Sequence, residues 1–289
     1  MVKTYAMLLF ACAAWGFQPV CAKWILIDWT PVSITLYRYV IITVLWFFVA
    51  WHNEGRRMLP NIQDMWCLVI MGLLGVLLNN VLEFEGLKYT TVTNATLISA
   101  TQPAVTAFMA VFLIHERLSG IRWLGIILSF VGVMLVVSNG CWETIYQIDF
   151  NKGDILYGAS QMAWAIYTFI SLFVMKRVSP VAATFWFSLY GTILTGIYGV
   201  ATSSLVIVPL SGISILSWLY IIFIGGFLSL YFYNVGVKNA GPSVASVFLN
   251  IMPIVGMMSG YAALHEYIGV VQLSGAAAII IGVAMTSRH

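Results

Sequence analysis

The chain has 289 residues, of which 61% are hydrophobic and only 8% charged, with a net charge of +3 and a mean hydropathy of +0.96. That balance excludes an ordinary soluble domain and places the chain in a membrane, and so small a positive excess gives no reason to expect nucleic acid as a partner. The four cysteines, Cys12, Cys21, Cys67 and Cys141, have neither CxxC nor metal-ligand spacing, so no disulfide framework, redox centre, metal or other cofactor is expected.

Apolar runs of about 18 to 24 residues, at 1.5 Å rise per residue, each cover a hydrocarbon core of roughly 30 Å. They predict ten transmembrane helices over 5–27, 31–51, 65–86, 91–114, 121–139, 153–175, 180–202, 217–237, 242–264 and 268–286. The first run has no small-residue cleavage site at its end, so it is expected to be kept as a helix. Pro31, Pro180 and Pro242 stand where helices open, where a missing N–H costs nothing. Pro19, Pro103 and Pro253 fall inside predicted helices, where each frees a backbone carbonyl about one turn earlier and invites a kink. Trp24, Trp29, Trp46, Trp51, Trp66, Trp123, Trp142 and Trp218 fall at predicted membrane interfaces, where an indole settles as an anchor. Gly125, Ser129 and Gly132, with Gly275 and Gly282, would let the fifth and tenth helices pack closely.

The second half of the chain reads like the first at a spacing of 150 residues: Gly75 pairs with Gly225, Gly86 with Gly236, Lys88 with Lys238, Pro103 with Pro253, and His115-Glu116 with His265-Glu266. Nearer the N-terminus the spacing is 149, pairing Ala14-Trp15 with Ala163-Trp164 and Pro31-Val32 with Pro180-Val181. The fold class expected is therefore all-α integral membrane, with ten helices as two inverted five-helix repeats. The first repeat is residues 1–140, an outer linker is 141–152 and the second repeat is 153–289. Five helices per half is an odd number, so the halves enter the bilayer from opposite sides, which is the geometry of alternating-access carriers. Lys3, Arg56, Arg57, Arg117, Arg122, Lys176, Arg177, Lys238 and Arg288 gather on one side and only Lys88 and Lys152 on the other, which predicts cytoplasmic termini in a plasma (inner) membrane.

Trp15-Gly16, Leu36-Tyr37-Arg38-Tyr39, Glu85 to Thr90, Ala95 to Pro103, His115-Glu116-Arg117-Leu118, Gly125 and Gly132 together resemble the EamA repeat of the drug/metabolite transporter superfamily. The second copy keeps Pro253, Glu266, Gly275 and Gly282. The resemblance implies a ten-helix carrier whose central cavity is lined mainly by the first four helices of each half. It also implies small-molecule cargo, since relatives move amino acids, amines, nucleotide sugars, choline or drugs. The acidic residue of the family motif maps to Glu116 and Glu266, which fall at helix ends, where capping is the expected role.

Charges inside a membrane are functional by default. Arg38 and Glu83 stand in the outer third of helices two and three; they are expected either to staple the two helices as an ion pair or to serve substrate and coupling. A partly desolvated carboxylate binds a proton more readily, which makes a proton a candidate coupling ion. Lys23 and Glu85 are expected to snorkel to the interface. On helical phase, Asn79, Asn80 and Glu83 share a face of helix three, Tyr157, Gln161, Trp164 and Thr168 a face of helix six, Trp15 and Gln18 a face of helix one, and Ser243, Ser246 and Asn250 a face of helix nine. The candidate substrate-binding set is thus Trp15, Gln18, Arg38, Asn79, Glu83, Tyr157, Gln161, Trp164 and Asn250. Trp15 and Trp164 are repeat mates, placed either to form two opposing aromatic walls or to pack in the core. No GxSxG turn, HExxH pair, Walker sequence or paired aspartate is present, so no enzyme is expected. The expected function is secondary transport of a small polar organic solute, an amino-acid-like metabolite or an amine. Export of larger hydrophobic cations or drugs and a non-transporting sensor or scaffold remain as alternatives. Oligomeric state is left open.

Overall fold

In the computed structural model, residues 1–90, 98–99, 102–115, 118–138, 143, 151–264 and 269–286 are described. They are helical almost throughout, and no strand occurs among them. In chain order the rods are α1 (Val2–Ile25), α2 (Pro31–Glu54), α3 (Ile62–Gly86), α4 (Gln102–Ile114), α5 (Gly120–Ser138), α6 (Lys152–Val174), α7 (Pro180–Ala201), α8 (Gly212–Ala240), α9 (242–264) and α10 (Val270–Thr286). Five, namely α1, α2 with its continuation to Met58, α3, α7 and α8, are long and apolar enough to cross a membrane, and α5, α9 and α10 contain shorter apolar stretches. The expected start of helix four, the 139–150 link except Glu143, and Glu116, Arg117, His265 and Glu266 lie outside the described residues.

Helix starts follow local chemistry. Thr30 and Ser179 cap α2 and α7, each side-chain oxygen accepting from the backbone N–H three residues on, at 3.1 and 3.0 Å, with proline at the next position. Gly241, at φ +87°, supplies the sharp turn into Pro242. Asn151 and Asp154 close a reciprocal capping box at the start of α6.

Two rods are not uniform α-helix. α3 widens to π geometry over Leu73–Leu78 and α8 over Ile221–Leu228. Such widening frees carbonyls from the regular ladder, and side chains collect them. Asn80 Nδ2 donates to Gly75 and Val76 at 3.0 and 2.9 Å, Ser229 Oγ to Ile224 at 2.6 Å, and Trp15 Nε1 to Gly225 at 2.7 Å. In α9 the chain tightens to a 3₁₀ turn over Phe248–Ile251 just before Pro253, which has no N–H to offer the Leu249 carbonyl.

The small residues act as expected on α5 and α10: a Cβ on Gly132 would lie 2.6 Å from the Gly275 carbonyl oxygen, and one on Gly125 2.6 Å from that of Gly282. At this separation two hydroxyls also reach across, Ser129 Oγ to the Ile279 carbonyl and Thr286 Oγ1 to that of Arg122, each at 3.5 Å. Trp51, Trp66 and Trp123 are exposed, as anchors should be. Trp46 is not an anchor: it is buried, with its ring 4.5 Å from Phe227 and 5.2 Å from Tyr231 of α8, because α8 packs across α2 at that depth.

Opposite ends of the bundle are tied by different residues. At one end Arg177, between α6 and α7, donates Nε to Asp64 Oδ1 of α3 at 2.7 Å, and Ser179 Oγ donates to Glu54 at the end of α2. At the other end of α2, 24 residues or about 36 Å away by helical rise, Ser214 Oγ of α8 donates to Asp28 Oδ2 at 3.2 Å and Thr30 Oγ1 to the Ser204 carbonyl at 2.7 Å.

Candidate functional site

Between these ends the helices line a partly open cavity of about 60 Å³. α1 contributes Trp15 and Gln18, α2 Arg38 and Tyr39, α3 Asn79, Asn80 and Glu83, and Ser99 precedes α4. α6 contributes Tyr157, Gln161 and Trp164, α8 Gly225, Gly226 and Leu230, and α9 Leu249 and Met252. Eight of the nine expected residues are therefore in one wall. Asn250 is the exception: its side chain is buried away from the cavity with neither amide atom partnered. The cause is the 3₁₀ turn, whose 3.0 residues per turn rotate the helix phase so that Leu249 and Met252 face inward. Ser243 and Ser246, on the same expected stripe, are likewise buried outside the lining, and Thr168 bonds its own helix at the Trp164 carbonyl.

The charged end of the cavity is held by α2 and α3. Arg38 is only 3% exposed. Its Nη2 donates to Asn80 Oδ1, its guanidinium carbon lies 5.0 Å from the Tyr39 ring centre and 5.9 Å from that of Phe84, and Nε and Nη1 have no partner. Arg38 and Glu83 do not close to the expected ion pair. Asn80 takes the guanidinium because its own amide is fixed on the widened turn of α3, which aims Oδ1 at α2. Glu83 is left half-buried on the cavity wall. Lys23 is exposed and Glu85 pairs with Lys88 at 2.9 Å, as surface-seeking side chains do.

The polar flank comes from α6. Asn79 Nδ2 donates to the Ser160 carbonyl at 3.1 Å, Gln161 Nε2 lies 3.4 Å from Ser160 Oγ, and Ser99 Oγ donates to the Tyr157 hydroxyl at 3.1 Å. Gln18 points a buried, unpartnered Oε1 at Gly225, where a Cβ would stand 2.7 Å away. Trp15 and Trp164 are not opposing walls with a slot between them. Their rings meet edge to face at 5.3 Å and 90°, and both touch Tyr233. They form one aromatic floor.

The EamA-like transporter family model matches residues 2–138 and 151–288. The chain belongs to that family. Among similar proteins, an uncharacterized transporter YyaM of Bacillus subtilis is 29% identical over 99% of this chain and 94% of its own length. YetK of the same organism, also an uncharacterized transporter, is 24% identical over 98% of this chain and 86% of its own. An uncharacterized transporter of Archaeoglobus fulgidus is 24% identical over 99% and 97%. A solved structure described only as "Crystal structure of protein" matches with a TM-score of 0.81 at 17% identity, covering 99% of this chain and 96% of its own, and shares the fold.

The EamA match identifies a multi-pass membrane transporter family, and the cavity is where its polar residues gather. α7 adds nothing to the wall. Its Phe187, spaced 149 residues from Arg38, is buried against Tyr167 with ring centres 5.3 Å apart. Sequence reasoning missed Tyr39, Ser99, Gly225, Gly226, Leu230, Leu249 and Met252. Gly225 had a signal, as the repeat mate of Gly75, and Leu249 and Met252 follow from a local change of helix pitch whose mark in the sequence is Pro253.

Proposed function

We propose that this EamA protein is a secondary transporter, not an enzyme, that carries a small polar organic solute through the central cavity by alternating access of two inverted five-helix halves. The observation that carries the proposal is the lining itself: a chain with 8% charged residues spends a buried arginine, a glutamate, two asparagines and two glutamines on one mid-depth cavity. Lipid offers such groups no partners, so a polar occupant is the natural recipient.

Several contacts support the inverted repeat. Asp28 is spaced 149 residues from Arg177 and Ser214 150 from Asp64, so the Asp28–Ser214 and Arg177–Asp64 ties are counterparts at opposite ends. Thr30–Ser204 and Ser179–Glu54 are related in the same way. Thr43 and Thr192, 149 residues apart, meet each other at 3.1 Å, and Trp15 meets Trp164, as mates do beside a two-fold axis. On this reading all ten rods span the plasma membrane, residues 1–140 and 153–289 are the halves, both termini are cytoplasmic, and Glu83 is a candidate proton carrier. The single acidic group among many amides, in a small cavity, favours a polar metabolite over a bulky hydrophobic cation.

The test is solute counterflow in vesicles reconstituted with the purified protein, across a panel of amino acids, amines, nucleosides and organic cations. Saturable, protein-dependent exchange of a small polar solute supports the proposal; exchange confined to bulky cations supports drug export, and no exchange of any kind supports a sensor or scaffold.

A further inference from the structure

We infer that the packed core under the aromatic floor is the closed form of a second half-cavity, and that Gln102, Tyr167, Ser188 and Tyr233 are its polar wall, taking over solute contacts when the protein faces the other side of the membrane. The inference rests on the transport reading above and extends it to residues outside the present cavity.

The repeat decides which residues these are. In an inverted pair, turning the carrier over exchanges the arrangements of the two halves, so a residue that lines the cavity in one state hands its place to its counterpart in the other. Three pairs of lining residues are already counterparts of each other: Trp15 and Trp164 at a spacing of 149, and Asn80 with Leu230 and Ser99 with Leu249 at 150. They face the cavity in both states. Six more have counterparts outside the present lining: Cys12 for Gln161, Tyr167 for Gln18, Phe187 for Arg38 and Ser188 for Tyr39 at 149, and Tyr233 for Glu83 and Gln102 for Met252 at 150.

The placement of these six fits a closed mirror of the cavity. None is more than 2% exposed. Tyr233 lies against both Trp15 and Trp164, at 5.2 and 5.3 Å, and Tyr167 stacks on Trp164 at 4.9 Å and meets Phe187 at 5.3 Å, so this core begins where the cavity stops. Arg38 and Phe187 are each the eighth residue of their helices, counted from Pro31 and Pro180, and those helices start at opposite ends of the bundle. The polarity of the core is the second sign. Gln102 Nε2 and Ser188 Oγ are buried with no hydrogen-bond partner, and the Tyr167 hydroxyl donates to Asn234 Oδ1 at 2.7 Å. An unpartnered polar atom in a dry core is destabilising, and a state in which water or solute reaches it relieves that cost. The second wall offers hydroxyls and an amide but no charge, since Phe187 and Tyr233 stand where the first half has Arg38 and Glu83.

The chain carries its own probes. Cys12 and Cys21 are both buried on α1, but only Cys12 is the counterpart of a lining residue, Cys21 being matched with Ile170. The full-length chain, keeping one of these cysteines at a time, is probed in right-side-out and inside-out membrane vesicles with a charged methanethiosulfonate. From the side of Asn53, Cys12 and, in a cysteine-free background, Ser188→Cys are expected to react at least about tenfold faster than Cys21 and Asn250→Cys, because an open state populated at a few per cent suffices to expose them. Asp64→Asn, which loosens that end, should speed Cys12 further and leave Cys21 unchanged. Equal rates at Cys12 and Cys21 overturn the inference, as does reaction of Cys12 from the side of Lys152, or protection of both Cys12 and Ser188→Cys that persists in Asp64→Asn. Solute counterflow is measured on the same membranes: exchange with Cys12 and Ser188→Cys both protected overturns the second half-cavity and keeps the transporter, whereas absence of both exchange and labelling removes the transport reading with it.

Discussion

Arg177 reaches from the α6–α7 connection to a carboxylate that is almost fully buried, placing Nε 2.7 Å from Asp64 Oδ1, while more than half of the arginine side chain stays in solvent. The carboxylate's hydrogen bond and charge hold the guanidinium still more firmly protonated than usual. The two partners are therefore unequal. Losing Arg177 strands a buried anion, and losing Asp64 releases an arginine into water. Arg177→Ala is expected to lower the melting temperature more than Asp64→Asn does, and Asp64→Asn with Arg177→Ala is expected to recover part of the loss. Equal shifts for the two single variants would contradict this asymmetry. Because the tie joins the two proposed halves at the proposed cytoplasmic face, both variants should also raise the labelling of a cysteine placed in the cavity by a reagent added from that side.

Glu83 and Arg38 separate a structural from a functional role. Glu83→Gln keeps size and hydrogen bonding but removes the charge. If the carboxylate serves substrate or proton, uptake falls about tenfold, the loss of one charge-assisted contact of roughly 1.4 kcal/mol, and its pH dependence is lost while the fold persists. If the pair only shapes the local field, Glu83→Gln lowers the melting temperature and Arg38→Met in the same chain restores it. Uptake and thermal denaturation measured on both single variants and the double variant distinguish the two; unchanged uptake with unchanged pH dependence in Glu83→Gln sinks the functional role.

The aromatic floor calls for a different substitution from the one its position alone would indicate. Trp164 is buried against Trp15, Tyr167 and Tyr233, so Trp164→Ala should cost about 3–5 kcal/mol of stability and is uninformative about binding. Phe is the useful replacement. Trp15→Phe leaves the Gly225 carbonyl without its 2.7 Å donor, a loss of about 1 kcal/mol, and Trp164→Phe keeps a ring of weaker quadrupole. Both should fold, and ligand affinity should fall more in Trp15→Phe because the π segment of α8 loses the hydrogen bond that Trp15 of α1 donates to it. Identical affinities in both variants would assign these rings to packing alone.

Much of this arrangement is legible in the sequence because it follows from period and spacing. Pro31, Pro180 and Pro242 do open helices, the α5 and α10 glycines do bring backbones together, and helical phase alone gathers Trp15, Gln18, Asn79, Glu83, Tyr157, Gln161 and Trp164 around one cavity. What escapes is whatever departs from 3.6 residues per turn. The π segments of α3 and α8 and the 3₁₀ turn of α9 redirect Asn80, Gly225 and Asn250; Pro253 marks the last as a place where the helix departs from regularity, and no propensity marks the π segments. Pair partners escape too: opposite charges at similar depth on adjacent helices predict an Arg38–Glu83 bridge, yet Asn80, three residues before Glu83 and anchored by its own helix, reaches the guanidinium first.

The topology proposed for the halves is open to a direct chemical test. Asn53 is exposed at the end of α2 that carries the Arg177–Asp64 tie, and Lys152 is exposed at the opposite end, where α6 begins. Asn151 is unsuitable for labelling, because its side chain accepts from the Gly153 and Asp154 backbones and a cysteine there would break the capping box. With the four native cysteines replaced, Lys152→Cys in intact cells should react with a membrane-impermeant maleimide, and Asn53→Cys should react only after the membrane is breached. Two inverted halves require a second pair to follow the same rule: Ser203→Cys, exposed at the end of α7, should label like residue 152, and Lys176→Cys like residue 53. If 53 and 176 label from outside while 152 and 203 do not, the orientation is reversed and the inversion stands. If 53 and 176 label from different sides, the two halves are not inverted copies, and alternating access built on their symmetry fails with them.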